Sequence, residues 1–220
     1  LTVLVVGEYR IRPVSRAVFP NRVLREAGLL AVRDAGEGEL LDLEASAAWA
    51  LADHQVAHVY LRDGGDAALR DRVAALFRGR PGVGRVLAGA DLVAAGLAAT
   101  ATQGPDSRCG DVVLESELDA WFAYPYWLDD ARAPSFARTI DIHRKPGYDP
   151  LELHLDRAAL PRIAIPLDTA LVRGSHGAID PAHPHETILV ASRRGVTDGR
   201  PLEMREIAGI VERLLGLAGG

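Results

Sequence analysis

The densest chemistry in this sequence lies between Arg138 and Glu152, where Asp141, His143 and Asp149 stand beside Arg144, Lys145 and Tyr148. Carboxylates and an imidazole are metal-type ligands. A neighbouring arginine and lysine suit phosphate oxygens, the arginine by its bidentate fork. Pro146, Gly147 and Pro150 interrupt the stretch and exclude a long helix or strand, so it reads as a loop. A working surface is one reading of that loop. A solvated turn whose charges pair with one another is the other.

Further ligand-type residues are scattered along the chain. Glu8, Tyr9 and Arg10 follow an apolar run, Asp53 and His54 follow an alanine-rich stretch, and His176 sits in Gly174-Ser175-His176-Gly177. His58 falls inside a β-branched run and reads as a core or cross-strand histidine. His183 and His185 lie in a proline-rich segment and are expected at the surface.

Elements must position these groups. Leu1–Gly7 is a continuous apolar run, expected as a buried central parallel strand that delivers Glu8 at its carboxyl end. Pro20–Ala27 is a short helix with Pro20 in its first turn and Gly28 as its stop. Ala31–Arg33 and Glu39–Leu43 flank Gly36 and Gly38 and suggest a hairpin. Ser46–Ala52 is expected as a short helix leading to Asp53 and His54, and Ala57–Leu61 as a strand.

Asp66–Arg78 carries Leu69, Val73, Leu76 and Phe77 at helical spacing. Val83–Leu87, Asp111–Leu114 and Thr187–Ala191 read as strands, the last of them buried. Asp91–Leu97 is a small further element. Glu203–Leu217 is a closing helix, with Ile207, Ile210, Val211, Leu214 and Leu215 on one face. Trp121, Phe122, Tyr124, Tyr126 and Trp127 concentrate five of the chain's twelve aromatic side chains into seven residues. They form either a satellite core or the wall of a cleft.

Composition bounds the partners. Hydrophobic residues make up 48% of 220 residues, ample for a packed core. The net charge is −5 and the 25 basic residues are dispersed, which argues against a nucleic-acid polymer. Cys109 is the single cysteine, so no intrachain disulfide forms and a reducing cytoplasm is the expected compartment. No apolar run approaches the roughly 20 residues that span a bilayer. The chain opens on Leu1 and enters a strand at once, from which a missing N-terminal portion or companion chain is expected.

Three pieces together resemble the alkaline phosphatase superfamily, in its type I phosphodiesterase/nucleotide pyrophosphatase branch. Val5-Val6-Gly7-Glu8-Tyr9-Arg10 sits where that superfamily has a strand ending in Ser-Asp-His-Gly-Met. Gly174-Ser175-His176-Gly177 matches its Gly-x-His-Gly, and Glu203–Leu217 is similar to its closing helix. The resemblance implies the carboxyl-terminal half of an α/β/α sandwich, with a mostly parallel central sheet and a small α+β insertion. The implied segments are 1–80, a cap-like 81–118, and a returning 119–220.

The resemblance also implies metal-dependent hydrolysis of a phosphodiester, pyrophosphate or phosphate monoester bond, assisted by two zinc ions or by manganese or iron. His176 inherits a metal-ligand role and Glu8 falls on an aspartate ligand. Tyr9 replaces a ligand histidine and Arg10 a glycine. His143, Asp141, Asp53 and His54 are then the candidates for the vacated position, while Arg144, Lys145 and Tyr148 would hold a small phosphate-ester substrate. No residue matches the family nucleophile, and Ser175 is not assigned that role. A homo-oligomer is compatible with this reading. The rival is a degenerate, non-catalytic binding module on the same fold.

Overall fold

Alternation of small inward and large outward residues builds the main sheet. In Ala48–Asp53 the alanines at 48, 50 and 52 are buried, whereas Trp49 and Leu51 are half-buried on the other face. The segment is therefore a strand, not the helix expected at Ser46–Ala52. Alanine's helix propensity yields here to packing, because only a small side chain fits beneath the helix laid against it.

The computed structural model describes residues 1–103, 107–139, 154–161, 163–183 and 187–217. In chain order its elements begin with β1 (Leu4–Val6), β2 (Arg12–Pro13), β3 (Arg16–Val18), α1 (Pro20–Glu26), β4 (Ala31–Asp34) and β5 (Glu39–Asp42). There follow β6 (Ala48–Asp53), β7 (Val56–Leu61), α2 (Ala67–Phe77), β8 (Val83–Ala88) and α3 (Ala90–Ala94). β9 (Val112–Ser116), β10 (Ala120–Phe122), β11 (Gly174–Ser175), β12 (Leu189–Ala191) and α4 (Glu206–Leu215) complete them. Contacts group the residues into two units, Leu1–Ile11 with Ile179–Gly220, and Arg12–Ala178.

The larger unit is a layered mixed α/β structure. Its sheet has the order β6-β7-β9-β8 with every neighbour antiparallel. This differs from the expected mostly parallel sheet, and among the described strands only β3 and β10 pair in parallel. α1 packs against β6, and α2 packs against β8 and β9. Val73, Ala74 and Phe77 of α2 join Val59 and Leu114 in the main core. α3 covers the opposite face of β8 and β9, where Leu92 meets Leu87 and Val113. Asp66 caps α2 by accepting a hydrogen bond from the Leu69 N–H.

The exposed edge of β6 is blocked by side-chain chemistry. The Asn21 amide donates to the Ala50 carbonyl at 2.8 Å and accepts from the Ala50 N–H at 2.7 Å. A single side chain from α1 thus imitates a neighbouring strand. β4 and β5 form the expected hairpin. At Gly38, φ is +122° and a Cβ would lie 2.4 Å from the Ala133 carbonyl oxygen, so only glycine fits there.

The aromatic run is core, not cleft wall. Trp121, Phe122, Tyr124, Tyr126 and Trp127 are all buried, and the last three meet edge to face at centroid distances of 5.3–6.0 Å. The Trp127 indole N–H donates to Asp130, and the Tyr126 hydroxyl to the Glu39 carbonyl. Burial pushes the Tyr126 phenol up to about 12.

In the smaller unit β1 runs antiparallel to β12, pairing Val5 with Val190. Here too the expectation of a buried parallel strand gives way. A two-stranded ribbon cannot cover both its faces, and Val5 is 57% and Val190 53% exposed. α4 closes this unit, with Gly216 in the left-handed conformation at its carboxyl end.

Candidate functional site

The β6–β7 hairpin turns at His54 and Gln55, since Asp53 is the last β6 residue paired with Val56. His54 occupies the left-handed region at φ +54°, among the described residues the one non-glycine with positive φ. A two-residue hairpin loop needs such a conformation, and histidine tolerates it better than most side chains. Sequence reasoning placed Asp53 and His54 together, but at the end of a helix. The structure presents them on a tight turn between two strands.

The Gly174–Gly177 segment comes to the same place. The His54 and His176 rings lie 4.0 Å apart between centroids, tilted by 39°. The Gln55 N–H donates to the His176 carbonyl at 2.9 Å. The Ser175 hydroxyl, in a side chain 1% exposed, is 3.4 Å from His54 Nδ1. Gly177 adopts φ +114°, which admits the close turn after His176.

Electrostatics follow from this enclosure. Burial lowers the pKa of His54, the neighbouring His176 lowers it further, and Asp53 opposes both. His54 is thereby favoured as a neutral imidazole, the form that binds metals and accepts protons. His58 is also lowered, by burial, and its Nδ1 accepts the Gly110 N–H at 3.0 Å. That pairing makes His58 the cross-strand histidine expected from its position.

The other predicted residues fall elsewhere. Asp53 is exposed beside His54. Glu8 is exposed and belongs to the smaller unit. Asp141, His143, Arg144, Lys145 and Tyr148 lie outside the described residues. His183 is exposed, as expected, with its Nδ1 2.8 Å from an Asp180 oxygen. Among the described residues no group of three or more His, Cys, Asp or Glu side chains converges as a metal site. Two adjacent imidazoles, one kept neutral by burial, nevertheless fit part of a zinc-type ligand set.

A cavity of about 490 Å³ in the same unit is lined by Phe19, Arg22, Arg138, Asp130, Asp156 and Thr169, among others. Arg138, which opens the charged stretch, is the one described residue singled out from the sequence that lines it. The Arg22 guanidinium lies 4.4 Å from the Phe19 ring centroid and donates to the Trp127 carbonyl. Burial lowers its pKa.

Antiparallel sheet, hairpin-borne histidine and glycine-flanked His176 define a mixed α/β chain with a histidine pair at one turn. The family model for type I phosphodiesterase / nucleotide pyrophosphatase matches residues 1–149. The chain belongs to that family. The matched residues include Glu8, Asp53 and His54, while His176 lies beyond them.

No curated protein matches the chain. Among solved structures, phosphonoacetate hydrolase from Sinorhizobium meliloti 1021 in complex with phosphonoformate is similar at 17% identity and a TM-score of 0.47. That match covers 99% of this chain and 42% of the hydrolase chain. The same hydrolase in complex with phosphonoacetate matches at 18% identity and a TM-score of 0.34, covering 55% and 28%. This chain therefore spans about two fifths of the length of the hydrolase it resembles.

Proposed function

We propose that this chain takes part in metal-dependent hydrolysis of a phosphodiester, pyrophosphate or phosphate monoester bond. The family match over residues 1–149 carries the reading. His176 and His54 would hold a divalent metal, with further ligands drawn from Asp53, Asp141 and His143. Zinc, or manganese or iron in its place, would supply Lewis-acid polarisation of the phosphoryl oxygens.

The chain's own residues have distinct roles. His54, kept neutral by burial, offers a nitrogen lone pair at neutral pH. Arg144, Lys145 and Tyr148 bind the phosphate ester and orient it. The nucleophile comes from polypeptide outside these 220 residues. Ser175 is a poor candidate because its side chain is buried with its hydroxyl turned to His54.

The test measures zinc content by elemental analysis and turnover of a nitrophenyl phosphodiester. The 220-residue chain is expected to bind zinc, to lose it on His176→Ala, and to show no turnover alone. Equal zinc in the variant removes the metal assignment, and robust turnover by the chain alone places a nucleophile within it.

A second reading, a non-catalytic binding module, is favoured by Tyr9 and Arg10 standing where the family resemblance expects histidine and glycine. Failure of the unaltered chain to bind any zinc would support it.

A further inference from the structure

We infer that Gln55 is the positioning residue of the His54–His176 pair, tying the turn that carries His54 to the segment that carries His176 and to the start of β10 through its hydrogen bonds. The metal-binding part of this inference rests on the reading above. The geometric part stands by itself.

Gln55 is fully buried, an unusual place for an amide side chain. Its polar groups are used in several directions. The backbone N–H holds the His176 carbonyl at 2.9 Å, and the backbone carbonyl accepts the Ser116 N–H at 2.9 Å. Side-chain Nε2 donates to the carbonyls of Ala120 at 2.9 Å and Leu118 at 3.2 Å. Oε1 accepts the Ala178 N–H at 3.4 Å. The residue therefore grips the His176 loop on both sides of Gly177 and fastens it to the start of β10.

His54 is held in the same framework. Its carbonyl accepts the Phe122 N–H at 2.7 Å, two residues along β10 from the carbonyl that Gln55 holds. The Ser175 hydroxyl lies 3.4 Å from His54 Nδ1. A left-handed backbone at a non-glycine residue is unfavourable and persists where surrounding bonds over-determine it. Those bonds are the ones Gln55 and β10 supply. A structural anchor would need a buried amide, but not a left-handed histidine set 4.0 Å from a second one.

Residues that orient metal ligands typically change metal affinity by about 10- to 100-fold when altered. Gln55→Met keeps volume and removes the side-chain hydrogen bonds. Two readouts apply to the 220-residue chain: zinc affinity by competition with a chromophoric chelator, and nuclear Overhauser contacts between the His54 and His176 ring protons without metal. Zinc affinity is expected to fall about 10- to 100-fold, and the inter-ring contacts to weaken as the pair separates. Unchanged inter-ring contacts together with zinc affinity within about threefold of wild type overturn the inference.

If neither His54→Ala nor His176→Ala alters zinc binding, the metal reading fails while the metal-free inter-ring contacts still decide the role of Gln55. Should Gln55→Met not fold, amide exchange on the unaltered chain decides. Zinc saturation is expected to slow the Gln55 and Ala178 backbone amides, and unchanged exchange at both overturns the inference.

Discussion

The β6–β7–β9–β8 sheet and the β1–β12 ribbon are built from the same residue types and end in opposite environments. Val59 and Leu114 are fully buried, whereas Val5 and Val190 are more than half exposed. The sheet has helices on both faces and a side chain blocking the edge of β6. The ribbon has two strands paired only to each other among the described residues. Apolar, β-branched sequence therefore specifies extended backbone in both places. Burial depends on what the chain lays over it.

The contrast can be broken by mutation. Phe77→Ala removes a fully buried ring from the face that α2 turns to the sheet, and should cost about 3–5 kcal/mol. Chemical denaturation measures it, and a loss below about 1 kcal/mol would mean that the sheet core is loosely packed.

Asn21→Ala attacks the edge instead. It leaves the Ala50 N–H and carbonyl unpaired in a buried setting, at an expected cost of about 1–3 kcal/mol. If the thermal midpoint does not move, water or backbone replaces the amide, and the edge of β6 is less protected than the bonds suggest.

A smaller effect comes from protons. The folded-state pKa values of His54 and His58 are both lowered, chiefly by burial. Below the ordinary histidine value of about 6.5 the unfolded chain then binds protons that the folded chain resists. Stability should hold above that pH and decline as pH falls below it. His54→Gln and His58→Gln should each flatten the decline, measured as thermal midpoint against pH, and a slope unaltered by both assigns it to other groups.

The smallest effect is expected in the ribbon. Val5→Ala and Val190→Ala should each change stability by less than about 0.5 kcal/mol, as exposed substitutions usually do. A loss of more than about 1 kcal/mol in the 220-residue chain would show β1 and β12 covered in solution and erase the contrast with the sheet.

Local signals in the sequence were sufficient for much of the framework. Pro20 and Gly28 bracket α1, the helical spacing from Leu69 to Phe77 gives α2, and paired glycines at 36 and 38 turn the β4–β5 hairpin. Each rests on a backbone or periodicity rule that acts within a few residues. Family membership was legible as well, and the match over residues 1–149 bears it out. His58 was readable because a histidine inside a β-branched run has few alternatives.

What only the tertiary structure decided involves residues far apart in sequence. Ser46–Ala52 looked helical because alanine favours helices, but its alanines are inward residues of β6. Leu1–Gly7 looked central and parallel, yet its partner is an antiparallel strand more than 180 residues away. The meeting of His54 with His176, and the clamp that Gln55 forms between them, left no trace in spacing or composition. Hydrogen bonds linking residue 55 to residues 118, 120, 176 and 178 depend on how the chain returns upon itself. Local propensity sets the elements, and the geometry of return decides which of their ends share a site.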